Sequence, residues 1–333
     1  MSVIESGSWD DSKDALRELD RKLGHLGVER TILLEEKTHE DEISITPKEN
    51  EKGWIYTPRS PQKKELRRIP YLAAIRNRVM EPLHTLATRK VDPRTFTHVL
   101  WLNDVIFSVE DIISLLATNE GRFAAACSLD FSHPPSFYDT FALRDVDGEK
   151  PITQTWPYFL SSVSRRAMMA NEAVPVKSCW NGVVAFNASA FYGSKSHSQE
   201  PLRFRGIQDS LALQHLEGSE SCLIHADNPL TREQGVFVNP DVRVAYNPSA
   251  NIDIHPGFGT EIWPGRGRRL WGIWGNRLAR VWGWGRRWSE GWVVKSRLKS
   301  WVEEGVRGER EEVGRECLVN EMQVLIKNGW AHV

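Results

Sequence analysis

The sequence predicts an α/β fold in which a mostly parallel central sheet is flanked by helices. Short apolar runs alternate with longer segments whose apolar residues recur every three to four positions, an order typical of β-α-β units. The 333 residues suffice for one large domain with an appendage. A change of composition predicts a main domain over residues 1–260 and a Trp/Arg-rich helical extension over residues 261–333.

The chain is expected to open with a β-α-β unit. SVIESGS at 2–8 is predicted to hold a short apolar strand that ends in small polar residues, and VERTILLEE at 28–36 the second strand. The helix between them has leucines on one face, at Leu16, Leu19, Leu23 and Leu26. Because the first strand begins at once, we expect it to be truncated by an incomplete N-terminus.

Two long segments follow the opening unit. Residues 35–68 hold eight acidic and eight basic side chains and few apolar residues, so a long surface loop is predicted. A helix is predicted from Ile69 to Thr88, and Pro82 should kink or divide it.

A strand, a helix and another strand come next. The three segments are THVLWL at 97–102, VEDIISLLATNEG at 109–121 and RFAAACSLDF at 122–131. This order implies a parallel crossover, which places Asn103 and Asp104 at the carboxyl end of a central strand, where ligands of open α/β sheets bind. Alternatively, Asp104 only begins a loop and Ser108 caps the following helix.

The pattern is less regular beyond residue 131. Residues 132–156 are rich in Pro, aromatic and charged residues and are expected to form a functional loop. The later predicted elements are a strand or strand pair at 174–186, a short helix at 207–218, a strand at 221–227 and a last strand at 236–246.

The C-terminal extension is rich in Trp, Arg and Gly. From Trp263 to Trp301 there are eight Trp, seven Gly and ten basic residues, with Glu290 as the one acid. Such a segment can bind nucleic acid or an anionic lipid surface, or it can pack against the main domain with its Trp side chains buried. The glycines favour a loosely ordered packed appendage. Residues 316–333 are predicted to form an amphipathic helix.

The composition sets further limits. Because 43 basic and 44 acidic residues leave a net charge of −1, nothing global favours a nucleic-acid partner. No apolar run reaches the length of about 18 residues that suggests a membrane span. The four cysteines are widely spaced without a C-x-x-C pair, so zinc is not expected; buried thiols and up to two disulfides both stay open.

Residues 100–116, LWLNDVIFSVEDIISLL, resemble the DxD element of GT-A glycosyltransferases, in which a strand is followed by a short acidic motif, apolar residues and a helix. Asp104 corresponds to the last acid, whereas Leu102 and Asn103 depart from the pattern. A carboxylate at this position would hold Mn²⁺ or Mg²⁺, which bridges the two phosphates of a nucleotide.

Longer stretches resemble the fungal, cryptococcal capsule-associated alpha-1,3-mannosyltransferases of glycosyltransferase family 69. The matching pieces are SVIESGSWDDSKDALRELDRKL, RIPYLAAIRNRVMEPL, WLNDVIFSVEDIISLL, AACSLDFSHPPSFYDTFALRDVDG, VKSCWNGVVAFNASAF, LRFRGIQDSLALQHLEGSESCLIHAD and VNPDVRVAY. The resemblance implies a GT-A-like (Rossmann-like) fold, a GDP-mannose donor, a mannose-containing glycan acceptor and metal-assisted alpha-1,3 transfer with retention.

The resemblance also implies where the donor binds. Glu5, Ser6, Gly7 and Ser8 follow the first strand, where the base and ribose would lie, although an ordinary turn with Ser8 as helix cap is the alternative. Asn103 is expected to contribute to the same donor site.

The segment FYDTFALRD at 137–145 offers a second group of binding residues. Arg144 is expected to bind the diphosphate and stabilise the leaving group, with Asp145 beside it. Alternatively, Asp139 or Asp145 holds Arg144 in a structural salt bridge. Tyr138 and Asp139 are predicted to contact the substrate.

Four further residues have two interpretations each. Trp180 and Asn181 are predicted to form a wall for a sugar, although a lone Trp is usually a core residue. Asp209 precedes a helix, like the acid that GT-A enzymes place near the acceptor hydroxyl, but could simply cap that helix. His225 is a candidate metal ligand together with Asp104, or is merely hydrogen-bonded.

Relatives of this kind are typically type II membrane proteins of the Golgi and secretory pathway, whereas this chain is expected to lack the anchor. The sequon Asn187-Ala188-Ser189 is compatible with a luminal location. Two other functions are compatible with the sequence: an inactive nucleotide-sugar-binding protein, and an interaction protein acting through the basic Trp-rich segment.

Overall fold

The computed structural model describes residues 1–193, 200–256, 263–306 and 310–333, and its elements are numbered along the chain. The strands are β1 (Ser2–Ser6), β2 (Thr31–Glu35), β3 (Trp54–Thr57), β4 (Ser60–Leu66), β5 (His98–Leu102), β6 (Ala125–His133), β7 (Ser136–Phe137), β8 (Arg144–Asp145), β9 (Val174–Ser178), β10 (Val183–Asn187), β11 (Glu217–Gly218), β12 (Val236–Ala245), β13 (Leu318–Val319), β14 (Gln323–Ile326) and β15 (Gly329–His332). The helices are α1 (Ser12–His25), α2 (His39–Ser44), α3 (Arg68–Thr88), α4 (Val109–Leu116), α5 (Ser162–Ala170), α6 (Ser189–Tyr192), α7 (Asp209–Ala212), α8 (Glu220–Asp227), α9 (Thr231–Gln234), α10 (Pro248–Ile254), α11 (Arg266–Trp282) and α12 (Trp284–Glu303).

The chain divides into two compact units. The first comprises residues 1–95, 203–220 and 320–333, and the second comprises residues 96–202 and 221–319. The predicted domains 1–260 and 261–333 follow composition and are a different division of the chain.

The second unit is built on a mixed sheet. Its strand order is β5-β10-β6-β12-β9-β8, with β7 paired to β6. Only β6 and β12 form a parallel pair among these strands, and the other pairs are antiparallel. The predicted α/β class is confirmed, but the prediction of a mostly parallel sheet is wrong.

The error comes from β10, which lies between β5 and β6. Ala185 pairs antiparallel with Leu100 on one side and with Ala126 on the other. The two strands of the predicted crossover are therefore not neighbours, and β5 lies at the edge of the described sheet. Asn103 and Asp104 thus follow an edge strand, whereas a central strand was predicted.

The core of the second unit lies between α4 and the sheet strands β6, β10 and β12. It is formed by Leu115, Phe123, Ala126, Val183, Ala185, Val242 and Val244. At the start of α4, the Ser108 hydroxyl accepts from the Asp111 amide and the Asp111 carboxylate accepts from the Ser108 amide. Ser108 is therefore the cap, as one interpretation of the sequence held, and Asp104 lies outside the capping box.

The first unit begins with the predicted β-α-β unit: β1 and β2 pair in parallel, and α1 connects them along the chain. The surface-loop prediction for residues 35–68 is wrong, since this segment contains α2 and the β3-β4 hairpin. The few apolar side chains of this segment suffice to pack these elements, because Trp54 and Leu66 form a buried cluster with Leu325. Helix α3 is one continuous element through Pro82.

Two further element predictions are wrong. Residues 221–227, predicted as a strand, belong to α8, and the C-terminal segment, predicted as an amphipathic helix, contains the β14-β15 hairpin. Gly329 at the hairpin turn has a φ of +100°, a conformation that favours glycine. Short apolar runs fit either element, and tertiary packing decides between them.

The C-terminal extension is helical, as predicted, over α11 and α12. The extension was expected to be loosely ordered, but its glycines do not interrupt the two long helices. Its packing differs as well: Trp263 and Trp301 are buried, whereas the other six Trp side chains between them are exposed.

Two disulfides lie in the second unit and account for all four cysteines. Cys127 pairs with Cys179, and Cys222 pairs with Cys317, so the disulfide alternative is the one observed. The second bond joins α8 to the residue before β13 across a sequence separation of 95 residues. A closed loop of this length restricts the unfolded chain strongly.

We expect the double variant Cys222→Ala/Cys317→Ala to lose about 2–5 kcal/mol of unfolding free energy, because the unfolded chain regains the entropy of that loop. Denaturant unfolding of the variant and the parent measures the difference. Thiol titration in denaturant provides the control: the unreduced parent should show no reactive thiol. Two or more reactive thiols there would contradict the pairing.

Candidate functional site

Polar side chains collect at one edge of the second unit's sheet, where β5, β6 and β12 end. The segment after β5 is fixed there because the Ile106 amide donates to the Ala245 carbonyl over 2.7 Å. Asp104 lies in this segment and is exposed. This edge corresponds to the place where the sequence predicts the site.

A buried carboxylate organises the edge. Asp130, in β6, accepts a hydrogen bond of 2.9 Å from the Tyr246 hydroxyl and one of 3.1 Å from the Asp139 amide. The Asn181 amide group donates to the same carboxylate over 3.4 Å. Asp130 thus joins three chain segments that the sequence separates widely.

The electrostatics of this group follow from its burial. Desolvation, followed by the nearby charge of Asp139, raises the pKa of Asp130 to about 7. Desolvation and the negative charge of Asp130 also raise the pKa of Tyr246, which therefore keeps its proton and remains a donor. The negative charge of Asp104 also raises the pKa of Tyr246, so the two side chains interact electrostatically.

Sequence reasoning missed Asp130 and Tyr246. The available signal was an acid inside the apolar strand segment AACSLDF, because a charged residue is rarely buried without a partner. Tyr246 had no local signal, since its role depends on the parallel pairing of β12 with β6.

Tyr138 and Asp139 adjoin this group, so the structure brings two predicted substrate-binding residues to it. The Tyr138 ring is exposed and its centroid lies 4.9 Å from that of Tyr246. The Asp139 carboxylate accepts from the amides of Phe141 and Ala142 over 3.0 Å and 3.2 Å. Asp139 therefore shapes its own loop, and Tyr138 offers a ring face to solvent.

Trp180 and Asn181 form a tight turn behind Asn103. Asn181 and Gly182 have φ angles of +46° and +85°, and a Cβ on Gly182 would lie 2.7 Å from a Val244 methyl group. Only glycine fits that close approach. The Trp180 indole is buried and donates to the Asn103 side-chain oxygen over 3.3 Å. Trp180 thus orients Asn103 from within the core.

Arg144 and Asp145 are buried away from solvent. The Arg144 guanidinium donates to the carbonyls of Phe141, Leu143, Glu316 and Cys317, and burial lowers its pKa to about 10. Asp145 accepts from the amides of Asp147, Glu149 and Ser161. These partners indicate structural roles, and the predicted contact of Arg144 with a diphosphate has no support from this arrangement.

His225 lies in α8 rather than at the end of a strand. Its ring stacks on Phe186 with a centroid distance of 5.3 Å, and its Nε2 lies 2.7 Å from the Cys179 carbonyl. Desolvation lowers the pKa of His225 to about 4, so the imidazole is neutral at physiological pH. This environment matches the hydrogen-bonded interpretation of His225.

Two sets of side chains are candidate metal ligands. Among the described residues, one cluster of three potential ligands has its ligand atoms within 4.8 Å of each other: Cys127, Cys179 and His225. Its two sulfurs form a disulfide and are not thiolates, so the cluster does not suit a metal. The exposed carboxylate of Asp104 is a hard oxygen donor, which fits Mg²⁺ or Mn²⁺ when phosphate oxygens complete the shell.

In the first unit, the predicted donor residues line a cavity of about 560 Å³. Ser6, Gly7 and Ser8 face this cavity together with Trp9, His39, Lys327, Asn328 and Gly329. Glu5 is buried, and its carboxylate accepts from the Ser8 amide. Gly7 has a φ of +71°, and a Cβ there would lie 2.1 Å from the Lys37 carbonyl oxygen.

Asp209, also in the first unit, is held by a buried ion-pair network. Its carboxylate accepts from Arg67 over 2.8 Å and from the Gly53 amide over 2.9 Å, while Arg67 donates to Glu217 over 2.7 Å. Desolvation raises the pKa of Glu217 to about 7. The N-cap residue of α7 is Gln208, and Asp209 is the first residue within the helix, so the capping interpretation is wrong.

Comparison with known protein families matches residues 1–227 to the family described as cryptococcal mannosyltransferase 1. The match includes Asp104, Asp130 and all the residues predicted for the site, and it ends before β12. Comparisons with the curated proteins and with the solved structures found no match.

The raised pKa of Asp130 predicts a pH-dependent stability. Since an unfolded Asp ionises near about 3.9, the folded protein retains a proton between about pH 4 and pH 7 that the unfolded chain has lost. Rising pH through this window therefore lowers stability, and Glu217 acts in the same direction. The variant Asp130→Asn should remove about 3 kcal/mol of the change in stability between pH 5 and pH 8.

Denaturant unfolding at pH 5 and pH 8 measures the effect. Asp11→Asn is the matched control, because Asp11 is exposed and makes no capping hydrogen bond from its side chain. An Asp130→Asn profile parallel to that of the parent would contradict the assignment of the raised pKa to Asp130.

Proposed function

Because this chain belongs to the cryptococcal mannosyltransferase 1 family, we propose that it transfers mannose from GDP-mannose to a mannose-containing glycan acceptor. The family name supports a glycosyltransferase that uses a sugar donor and a glycan acceptor. The alpha-1,3 linkage, the retention of anomeric configuration and the use of Mn²⁺ or Mg²⁺ are the finer parts of the proposal.

The observation on which the proposal depends is the placement of Asp104. Its carboxylate is exposed at the edge where β5, β6 and β12 end, close enough to Tyr246 to raise that residue's pKa. A divalent cation held by Asp104 would stabilise the negative charge that develops on the departing diphosphate. Asn103, which is oriented by Trp180, adds a second oxygen beside Asp104.

The aromatic residues of the same edge supply a sugar-binding surface. Asp130 fixes the Tyr246 hydroxyl, and the Tyr138 ring packs against Tyr246 with its own face exposed. Aromatic faces pack well against the apolar C–H surface of a sugar. Tyr138 is therefore the proposed contact, while the buried Asp130 acts as a positioning residue.

The cavity of the first unit suits the nucleoside part of the donor. The Ser6 and Ser8 hydroxyls can bond ribose hydroxyls or base edges, and Trp9 offers an exposed ring for stacking. Gly7 is required at this point because the space of its missing Cβ is taken by the Lys37 carbonyl.

Asp209 is the proposed acceptor-side carboxylate. Arg67 and the Gly53 amide occupy one position on each of its oxygens and leave further lone pairs available to a hydroxyl. A free lone pair on this carboxylate can accept a hydrogen bond from a sugar hydroxyl.

The proposed location is the lumen of the secretory pathway. Two disulfides are typical of proteins from oxidising compartments and support this proposal. Among the described residues, no helix has the length and apolar character needed to cross a membrane.

A second candidate function is binding of a nucleotide sugar without turnover. Leu102 stands where the DxD element has its first acid, so a single carboxylate would have to hold the cation. GDP-mannose binding without product formation by the parent protein would favour this candidate.

The first test is the variant Asp104→Ala. We expect at least about a 100-fold loss of kcat/KM for mannosyl transfer, because the cation that stabilises the leaving group loses its carboxylate. The measurement is product formation from GDP-mannose and a mannoside acceptor with added Mn²⁺. Glu110→Ala is the control, since Glu110 is an exposed acid on α4 and should retain full activity. Unchanged activity of Asp104→Ala would overturn the metal-binding role.

The second test addresses the donor cavity. Gly7→Ala should weaken GDP binding at least about tenfold by calorimetry, because the added Cβ meets the Lys37 carbonyl and displaces the cavity wall. Gly27→Ala is the matched control: its φ is +68°, yet nothing lies within 4 Å of an added Cβ. Equal GDP affinities of the two variants would place the donor elsewhere.

A further inference from the structure

Helices α11 and α12 present an aromatic surface outside the part of the chain that matches the family, which ends at residue 227. Six Trp side chains of these helices are 59% to 81% exposed: Trp271, Trp274, Trp282, Trp284, Trp288 and Trp292. Single exposed apolar residues are ordinary on proteins, but a group of this size indicates a binding surface.

The apolar stripe of α11 faces outward. Its members are Leu270, Trp271, Trp274, Leu278, Val281 and Trp282, and all are exposed. At 3.6 residues per turn these positions fall within about 120° of the helix circumference. A stripe of this width normally packs against a protein core. In this protein the apolar stripe of α11 is exposed to solvent.

The inward face of α11 explains this orientation. Gly272 and Asn276 are the buried residues of the helix. A Cβ on Gly272 would lie 1.8 Å from the Trp156 carbonyl oxygen, so the helix backbone lies directly against that residue. The Asn276 amide donates to the Phe159 carbonyl over 3.4 Å. The face of α11 that contains Gly272 therefore packs against the protein, and the opposite face, with the Trp side chains, points to solvent.

Helix α12 extends the surface. Trp284, Trp288 and Trp292 follow one another at intervals of four residues and share a face with Lys295 and Lys299. The opposite side is held in place, because Trp301 is buried and Glu290 pairs with Lys150 over 2.5 Å.

The surroundings of the aromatic residues are strongly basic. Residues 266–303 contain ten Lys and Arg against two acids, Glu290 and Glu303, whereas the whole chain has a net charge of −1. The Arg277 guanidinium lies 5.0 Å from the Trp274 ring centroid, so charge and aromatic surface are interleaved. The surface therefore complements an anionic partner that also accepts apolar side chains.

We propose that α11 and α12 bind the surface of an anionic phospholipid bilayer. Trp is the side chain most suited to the boundary between headgroups and acyl chains, and helices with Lys or Arg beside Trp and Leu lie in that boundary. The Trp and Leu side chains enter the boundary, while the basic side chains contact lipid phosphates.

Two other partners fit less well. Single-stranded nucleic acid stacks on aromatic rings, but Leu270, Leu278 and Val281 interrupt the rings with aliphatic side chains that offer no such face. A second copy of this chain would bring two basic surfaces together, and like charges repel. The bilayer satisfies both the aliphatic and the basic side chains.

The test is co-sedimentation of the full chain with vesicles of phosphatidylcholine alone and with about 30% phosphatidylserine. We expect binding to the anionic vesicles, at least about tenfold weaker binding to neutral vesicles, and weakening with added salt. Burial of the Trp rings should also shift their fluorescence to shorter wavelength when anionic vesicles are added.

Two variants test the two components separately. Trp271→Ala/Trp274→Ala/Trp282→Ala should bind at least about tenfold more weakly through lost apolar contact. Lys295→Glu/Lys299→Glu should lose most of the preference for anionic lipid. Trp9→Ala is the matched control, because Trp9 is 69% exposed but lies outside these helices, and it should bind like the parent. Circular dichroism checks that each variant is folded.

Several results would overturn the proposal. These are absence of binding to anionic vesicles by the folded parent, equal loss of binding in the Trp9→Ala control, and lipid binding that survives both helix variants. Tighter binding to a single-stranded oligonucleotide than to vesicles would assign the surface to nucleic acid. Dimerisation in solution that is abolished by the Trp substitutions would assign it to self-association.

Discussion

The placement of β10 between β5 and β6 is the constraint on which the second unit depends. Because β10 pairs antiparallel with both neighbours, the turn that precedes it, Trp180 to Gly182, reaches the edge where β5 ends. Asn103 then accepts from Trp180, and Asn181 donates to Asp130. A different strand order would separate these groups, so the backbone pairing of β10 determines the composition of the site.

Burying the carboxyl group of Asp130 at this edge costs free energy, and its hydrogen-bond partners show what it holds in place. Asp130 bonds the Tyr246 hydroxyl, the Asp139 backbone and the Asn181 side chain, which come from three separate segments. An unpaired polar group would be unfavourable there, whereas a fully bonded one selects a single arrangement. The exposed Tyr138 ring therefore packs on a side chain that is held in one position, as the proposed substrate site requires.

In the first unit, buried charged side chains form an ion-pair network. Arg67 is buried between Asp209 and Glu217, so its guanidinium links residues that lie more than 140 positions along the chain from it. Removing either partner would leave a buried charge without compensation, and the network is therefore a structural requirement as well as a candidate chemical one. The same unit also contains the cavity beside Gly7, which supports a donor-binding role.

The sequence by itself determined the α/β class, the opening β-α-β unit and the position of Asp104 after a strand, and it offered Ser108 as one alternative for the cap of α4. These features depend on local periodicity and on side chains within a few residues of each other. Only the tertiary structure decided the strand order, the hairpin at the C-terminus, the roles of Asp130 and Tyr246, the burial of Arg144 and the outward stripe of α11. Each of these depends on which distant segments pack together, and local sequence carries no record of that pairing.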